Sequence, residues 1–177
     1  ESVEVPIEQV KPMASLTSVY QEAIPNIDFS EIKKTQDLLS PFFEHDDFTE
    51  QTILTRLWTE TTGFDSEIES NKKAIGLMQI TPDTAATVIR KIKTKPHGTE
   101  IIAQILGTDS IEQALKNPKK NLFFGTAIEM SNFEQLKDFL RGFDQQTRLA
   151  FLSFAYHNGV YGTERKLQTT FADSQKE

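Results

Sequence analysis

The chain has 177 residues, 37% of them apolar and 13 of them Phe, which suits one domain, or one with an extension, and excludes wholesale disorder. Its 26 acidic and 19 basic residues leave a net charge of −7, so the summed field repels phosphate backbones and nucleic acid is a poor partner. Cysteine is absent, which excludes disulfides, thiolate metal sites and cysteine nucleophiles.

Residues 1 to about 15 carry Pro6 and Pro12 and no sustained period, and read as a surface arm or disordered lead-in. The chain starts at Glu1 without a basic-then-apolar leader, so any targeting segment is expected to have been removed. No apolar run approaches the ~18 residues a bilayer-spanning helix needs. Leu16, Val19 and Ala23, then Ile32, Leu38 and Leu39, have helical spacing on either side of Pro25 and Asn26, and predict two short packing helices.

The next predicted helix runs from about Phe48 to Thr62 and ends at Gly63. At about 100° per residue, Ile53, Leu54, Leu57 and Trp58 share one arc, with Thr61 inside it and Glu60 on its rim. After a short irregular stretch from Ala74 to Ile80, Thr81, Pro82 and Asp83 signal a helix start, and Ala85, Val88, Ile89 and Ile92 supply its apolar stripe. Further helices are predicted over 100–106, 111–116 and 119–139, the last with a break near Ser131 or Asn132. Asp144 should cap a helix ending at Gly159, whose apolar residues circle the whole circumference and predict a central, buried helix. No alternating strand of useful length is present, so the fold class is all-α or mainly α.

Three stretches carry groups suited to chemistry. Glu60, beside an apolar arc and in the last turn of its helix, is disfavoured as an anion by desolvation and by the helix dipole. A carboxylic acid that keeps its proton near neutral pH is what a general acid for glycosidic cleavage needs. Against this, a Glu on a helix rim is usually just an ordinary solvated side chain, and position alone favours that reading. In Gly76-Leu77-Met78-Gln79-Ile80, the glycine permits close backbone approach and Gln79 offers a donor and an acceptor, either to a sugar or to its own buried neighbours. In Ala155-Tyr156-His157-Asn158-Gly159, Tyr156 could pair with a carboxyl such as Glu60 or serve as packing. No spacing of His and carboxylates suggests a metal site, and no cofactor is expected.

Together, in this order and spacing, the three stretches resemble the soluble lytic transglycosylases, the bacterial peptidoglycan-cleaving enzymes of glycoside hydrolase family twenty-three. The family's Glu-Ser pair followed by Gly-Phe corresponds to Glu60-Thr61-Thr62-Gly63-Phe64, with Ser70 at its downstream serine. Its G-L-M-Q stretch is present as Gly76 to Gln79, followed by Pro82, Thr84 and Ala85. Its Asn and Gly pair corresponds to Asn121 and Gly125, and its A-Y-N-x-G to Ala155 through Gly159. Thr61 replaces the family's Ser but keeps the hydroxyl; His157 replaces its Asn, with Asn158 next along the helix.

The resemblance implies a lysozyme-like domain over 46–177 with a helical or irregular N-terminal extension over 1–45. It implies cleavage of the β-1,4 bond between N-acetylmuramic acid and N-acetylglucosamine with formation of 1,6-anhydromuramic acid ends. Glu60 would be the catalytic acid and then base. Thr61, Met78, Gln79, Tyr156, His157 and Asn158 would bind substrate, with Thr61 holding Glu60 or the glycan, Met78 lining the groove and Tyr156 orienting Glu60. The implied location is the bacterial cell envelope, periplasmic or exported, with glycan strands as substrate and residues 1–45 as a candidate contact for an envelope protein. Two rivals share these features: a goose-type hydrolytic muramidase, and a catalytically silent glycan-binding scaffold.

Overall fold

A computed structural model describes residues 30–44, 53–54, 56–57 and 73–174. These residues form helices joined by short turns, with one isolated antiparallel bridge between Ile75 and Ile80 at the irregular stretch the sequence predicts. The chain is mainly α. The helix expected around Leu16, the ends of the one expected over 48–62, and the Gly63 stop lie outside the described residues.

Helix α1 (Ser30–Leu39) buries Ile32, Thr35, Gln36 and Leu39, a stripe at i, i+3, i+4 and i+7. Phe42 and Phe43, in the turn after it, join Ile32 and Leu39 in the main core. Residues 53, 54, 56 and 57 are helical, and Ile53, Leu54 and Leu57 enter the same core, so the predicted arc faces inward there.

Helix α2 (Pro82–Lys93) starts as expected. Thr81 accepts a hydrogen bond from the Thr84 N–H at 3.3 Å, Pro82 opens the first turn, and Asp83 sits at the positive end of the dipole. Its buried stripe is Ala85, Val88, Ile89 and Ile92. Helix α3 (Gly98–Leu106) follows a tight turn in which Gly98 lies so near the Ile92 carbonyl that any Cβ would overlap it. Helix α4 (Ile111–Lys116) is closed by a capping box between Ser110 and Gln113.

Helix α5 (Pro118–Leu140) begins where Asn117 accepts from the Lys119 and Lys120 N–H groups, and it runs without interruption. The expected break near Ser131 or Asn132 does not occur. Both residues are buried in helical conformation, and the Ser131 hydroxyl holds Lys91 and Gln135 from the side, so packing overrides their weak helix propensity.

Helix α6 (Gln145–Ser174) starts at Asp144, which accepts the Thr147 N–H at 2.8 Å, and is interrupted at Gly159 (φ 74°, ψ 160°), the stop the sequence predicts. It is not the central helix. That position belongs to α5, in which every residue from Asn121 to Asn132 is buried. In α6, Leu152 and Ala155 are buried against Leu136 and Leu140 of α5, while Leu149 and Phe151 only flank this smaller cluster. Asn121, Glu129 and Ser131 concealed the centrality of α5, because they are buried through pairing rather than exposed. No helix among the described residues is long and apolar enough to cross a membrane.

Candidate functional site

The Gly76 to Gln79 stretch is a tight turn closed by reciprocal main-chain bonds between Ile75 and Ile80 at 2.9 and 3.0 Å. Gly76 takes φ 78° and Gln79 takes φ 47°, so the turn needs the left-handed region at both ends. Its anchor is Asn121, fully buried in the first turns of α5. The Asn121 Oδ1 accepts the Met78 N–H at 2.9 Å, and its Nδ2 donates to the Ile75 carbonyl at 2.9 Å and the Leu115 carbonyl at 2.8 Å. A Cβ on Gly76 would overlap the Asn121 amide and the Leu115 carbonyl, so glycine is required by space as well as by φ.

Met78 is wholly buried, its sulfur lying where a Cβ on Gly125 would stand. That differs from the expectation that Met78 lines a sugar groove: its close packing on α5, which the glycine permits, leaves it no surface to offer a ligand. Gln79 is half-buried, and its Nε2 donates to the Gly76 carbonyl at 2.9 Å, so at least one of its amide bonds stabilises the turn itself.

The Ala155 to Gly159 stretch meets this turn from α6. Tyr156 Oη donates to the Met78 carbonyl at 2.6 Å, joining the two motifs across 78 residues of sequence. The Tyr156 ring carries the Arg56 guanidinium at 4.0 Å from its centroid, a cation–π contact. Arg56 Nε donates to Glu129 Oε1 at 3.0 Å, and both side chains are at most 2% exposed. Arg56 Nη1 also lies 3.3 Å from His157 Nε2. Because a guanidinium has no acceptor, His157 Nε2 must accept, which places the neutral ring's proton on Nδ1. Asn158 points elsewhere and donates to the Phe154 carbonyl one turn back at 3.0 Å. Of the two residues at the family's Asn position, His157 is therefore the one turned toward the cluster.

Alongside runs a cleft of about 580 Å³, within the range of small-ligand sites. Asp83, Thr84, Thr87 and Lys91 of α2 form one wall, and Ser131, Asn132 and Gln135 of α5 form another. Tyr156, His157 and the exposed Tyr161 of α6 complete it. Hydroxyls, amides and aromatic edges on an apolar base of Val88 and Ile128 suit a polyhydroxylated ligand. Lys91 is held below the ordinary lysine range by burial, with the Glu134 carboxylate opposing the shift.

Met78, Gln79, Tyr156 and His157 are thus brought together, while Asn158 stands beside the group without joining it. Glu60 and Thr61 lie outside the described residues, as does Ser70. Arg56 and Glu129 were not legible as functional candidates, although each left a signal: an Arg among Ile53, Leu54 and Leu57, and a Glu inside the run from Phe123 to Met130. Opposite charges embedded in two apolar helices point to a buried pair. The family model described as transglycosylase SLT domain matches residues 45–177. No curated protein and no solved structure matches the chain.

Proposed function

The chain belongs to the transglycosylase SLT domain family, a family of peptidoglycan lytic transglycosylases, and from that premise we propose that it is itself an active enzyme of this kind. The reaction is cleavage of the β-1,4 bond between N-acetylmuramic acid and N-acetylglucosamine. Glu60 first gives its proton to the leaving glycosidic oxygen as the C1–O bond breaks. The carboxylate so formed then takes the proton of the muramyl C6 hydroxyl while that oxygen bonds to C1, closing a 1,6-anhydro ring. One carboxylate serves both steps because the form left by the first is the form the second requires. The substrate's own acetamido oxygen meets the oxocarbenium-like charge, so no second carboxylate is needed.

Thr61 holds Glu60 or the glycan through its hydroxyl, and Gln79, Tyr156, His157 and Asn158 contribute to sugar binding in this reading. Residues 1–45 supply a contact for an envelope protein beside the lysozyme-like domain of 46–177, and the site of action is the bacterial envelope. The observation that carries the reading is the Tyr156 to Met78 hydrogen bond, which joins the two family motifs beside a cleft that Tyr156 and His157 line.

The test is mass analysis of fragments released from purified sacculi, with Glu60→Gln run alongside. Anhydromuramyl ends made by the unmodified chain and reduced at least a hundredfold in the variant are expected for a general acid. Reducing ends instead would identify a hydrolytic muramidase, and no release at all would leave a glycan-binding scaffold.

A further inference from the structure

Lys91 stands two helical turns beyond Asp83 on α2, about 12 Å along the axis at 1.5 Å per residue. It therefore occupies the opposite end of that cleft wall. Its ammonium donates to the Ser131 Oγ at 2.8 Å, and Gln135 Nε2 donates to the same oxygen at 3.1 Å. With both lone pairs of the Ser131 hydroxyl engaged, its proton must point away from Lys91 and Gln135, and it finds no acceptor among the described residues. Lys91 retains two further N–H donors, and no carboxylate among the described residues forms an ion pair with it. Glu134 acts on it only at longer range, and burial outweighs that attraction. A half-buried cation and a buried hydroxyl donor thus face a cleft in a chain whose net charge of −7 would otherwise repel anions.

We propose that Lys91 and Ser131 form a carboxylate subsite at this end of the cleft, which takes an acidic group borne on the glycan rather than a sugar ring. The inference rests on the peptidoglycan reading above and narrows its substrate class. Two carboxylates meet the description: the lactyl group of muramic acid when no peptide is attached, and the free carboxylates of a peptide stem. Either would accept from the ammonium and the hydroxyl together, a charge-assisted arrangement.

The experiment measures binding by calorimetry, using the full chain with Glu60→Gln so that ligands stay intact. Three muramyl tetrasaccharides of identical sugar sequence are compared: one with free lactyl carboxylates, one with stem peptides, and one with stem peptides whose carboxylates are amidated. At low salt the amidated ligand is expected to bind about tenfold more weakly than a carboxylate ligand. That difference should shrink with added salt and vanish in Lys91→Met and Lys91→Gln, while Lys91→Arg retains it. Whichever carboxylate ligand binds more tightly identifies the source. Equal affinity for all three ligands, a preference that survives in both neutral variants, or no binding by any ligand overturns the proposal. Cleavage does not enter this readout. Carboxylate preference without release of anhydro ends would overturn the enzyme reading alone, and release of those ends without carboxylate preference would overturn this one alone.

Discussion

Two buried polar pins hold the site's wall together, and they are built on opposite principles. Asn121 is neutral, and each of its three bonds goes to main chain: the Met78 N–H and the carbonyls of Ile75 and Leu115. The Arg56–Glu129 pin is an ion pair between side chains, extended onto the Tyr156 ring and His157. Main-chain groups cannot be mutated away, so whatever replaces Asn121 inherits polar atoms that must be satisfied. A side-chain pair can be removed whole. The comparison therefore separates a device that shapes the backbone from one that joins helices, even though both end on α5.

The largest effect is expected from breaking the ion pair at one end. Arg56→Met takes its buried cation away from the buried Glu129 carboxylate and should cost about 3–5 kcal/mol in denaturant unfolding. The Arg56→Met, Glu129→Leu double variant should recover most of that loss, because the desolvation of both charges disappears with their attraction. A double variant as unstable as the single one would show that the contacts to Tyr156 and His157 carry the stabilisation instead.

Asn121→Ala comes next, at roughly 3 kcal/mol, since it strands the Met78 N–H and the Leu115 carbonyl away from water, while the Ile75 carbonyl keeps only its bond from the Ile80 N–H. Hydrogen exchange should rise first at the Met78 amide, which loses its acceptor. No second-site change at Asn121's partners can restore the loss, and a rescuing pair would contradict the contrast between the pins.

The smallest effect concerns an exposed cap, as a contrast with both buried pins. Asp144 lies below the usual carboxylate range because its carboxylate accepts the Thr147 N–H, with the Thr147 hydroxyl adding to the effect. A group whose folded pKa is depressed stabilises the fold fully above its unfolded pKa, near 4, and loses that contribution as pH falls through the folded value. Asp144→Ala should therefore lower the melting temperature at neutral pH, and its gap to the unmodified chain should narrow as pH falls through the depressed folded value. A gap that stays constant with pH would remove the charge from the cap's role.

The candidate site was legible in part. The G-L-M-Q turn and the Ala155 to Gly159 stretch could be singled out because glycine, amide and aromatic side chains stand in order around helix ends. That Tyr156 binds the Met78 carbonyl was not legible, since the hydroxyl could equally have met a carboxyl, and only the relative placement of α6 and the turn decides between them. The burial of Met78 was missed for a related reason: it depends on Gly125, in α5 with three helices between them in the chain, leaving room for a sulfur. Lys91 and Ser131 drew no attention because a lysine in a last helical turn and a serine in a long helix are ordinary until the two hydrogen-bond to each other at one end of a cleft.

By itself the sequence determined the fold class and family, the starts of α2, α4 and α6, and the stop at Gly159. Caps, proline at the first turn and apolar periodicity act within about one helical turn, so the chain carries them wherever it folds. The tertiary structure alone decided that α5 is the central helix, that it continues through Ser131 and Asn132, and that Arg56 pairs with Glu129. Those outcomes depend on which helical faces meet across as many as 73 residues, where burial and pairing energies outweigh the local preferences written in sequence.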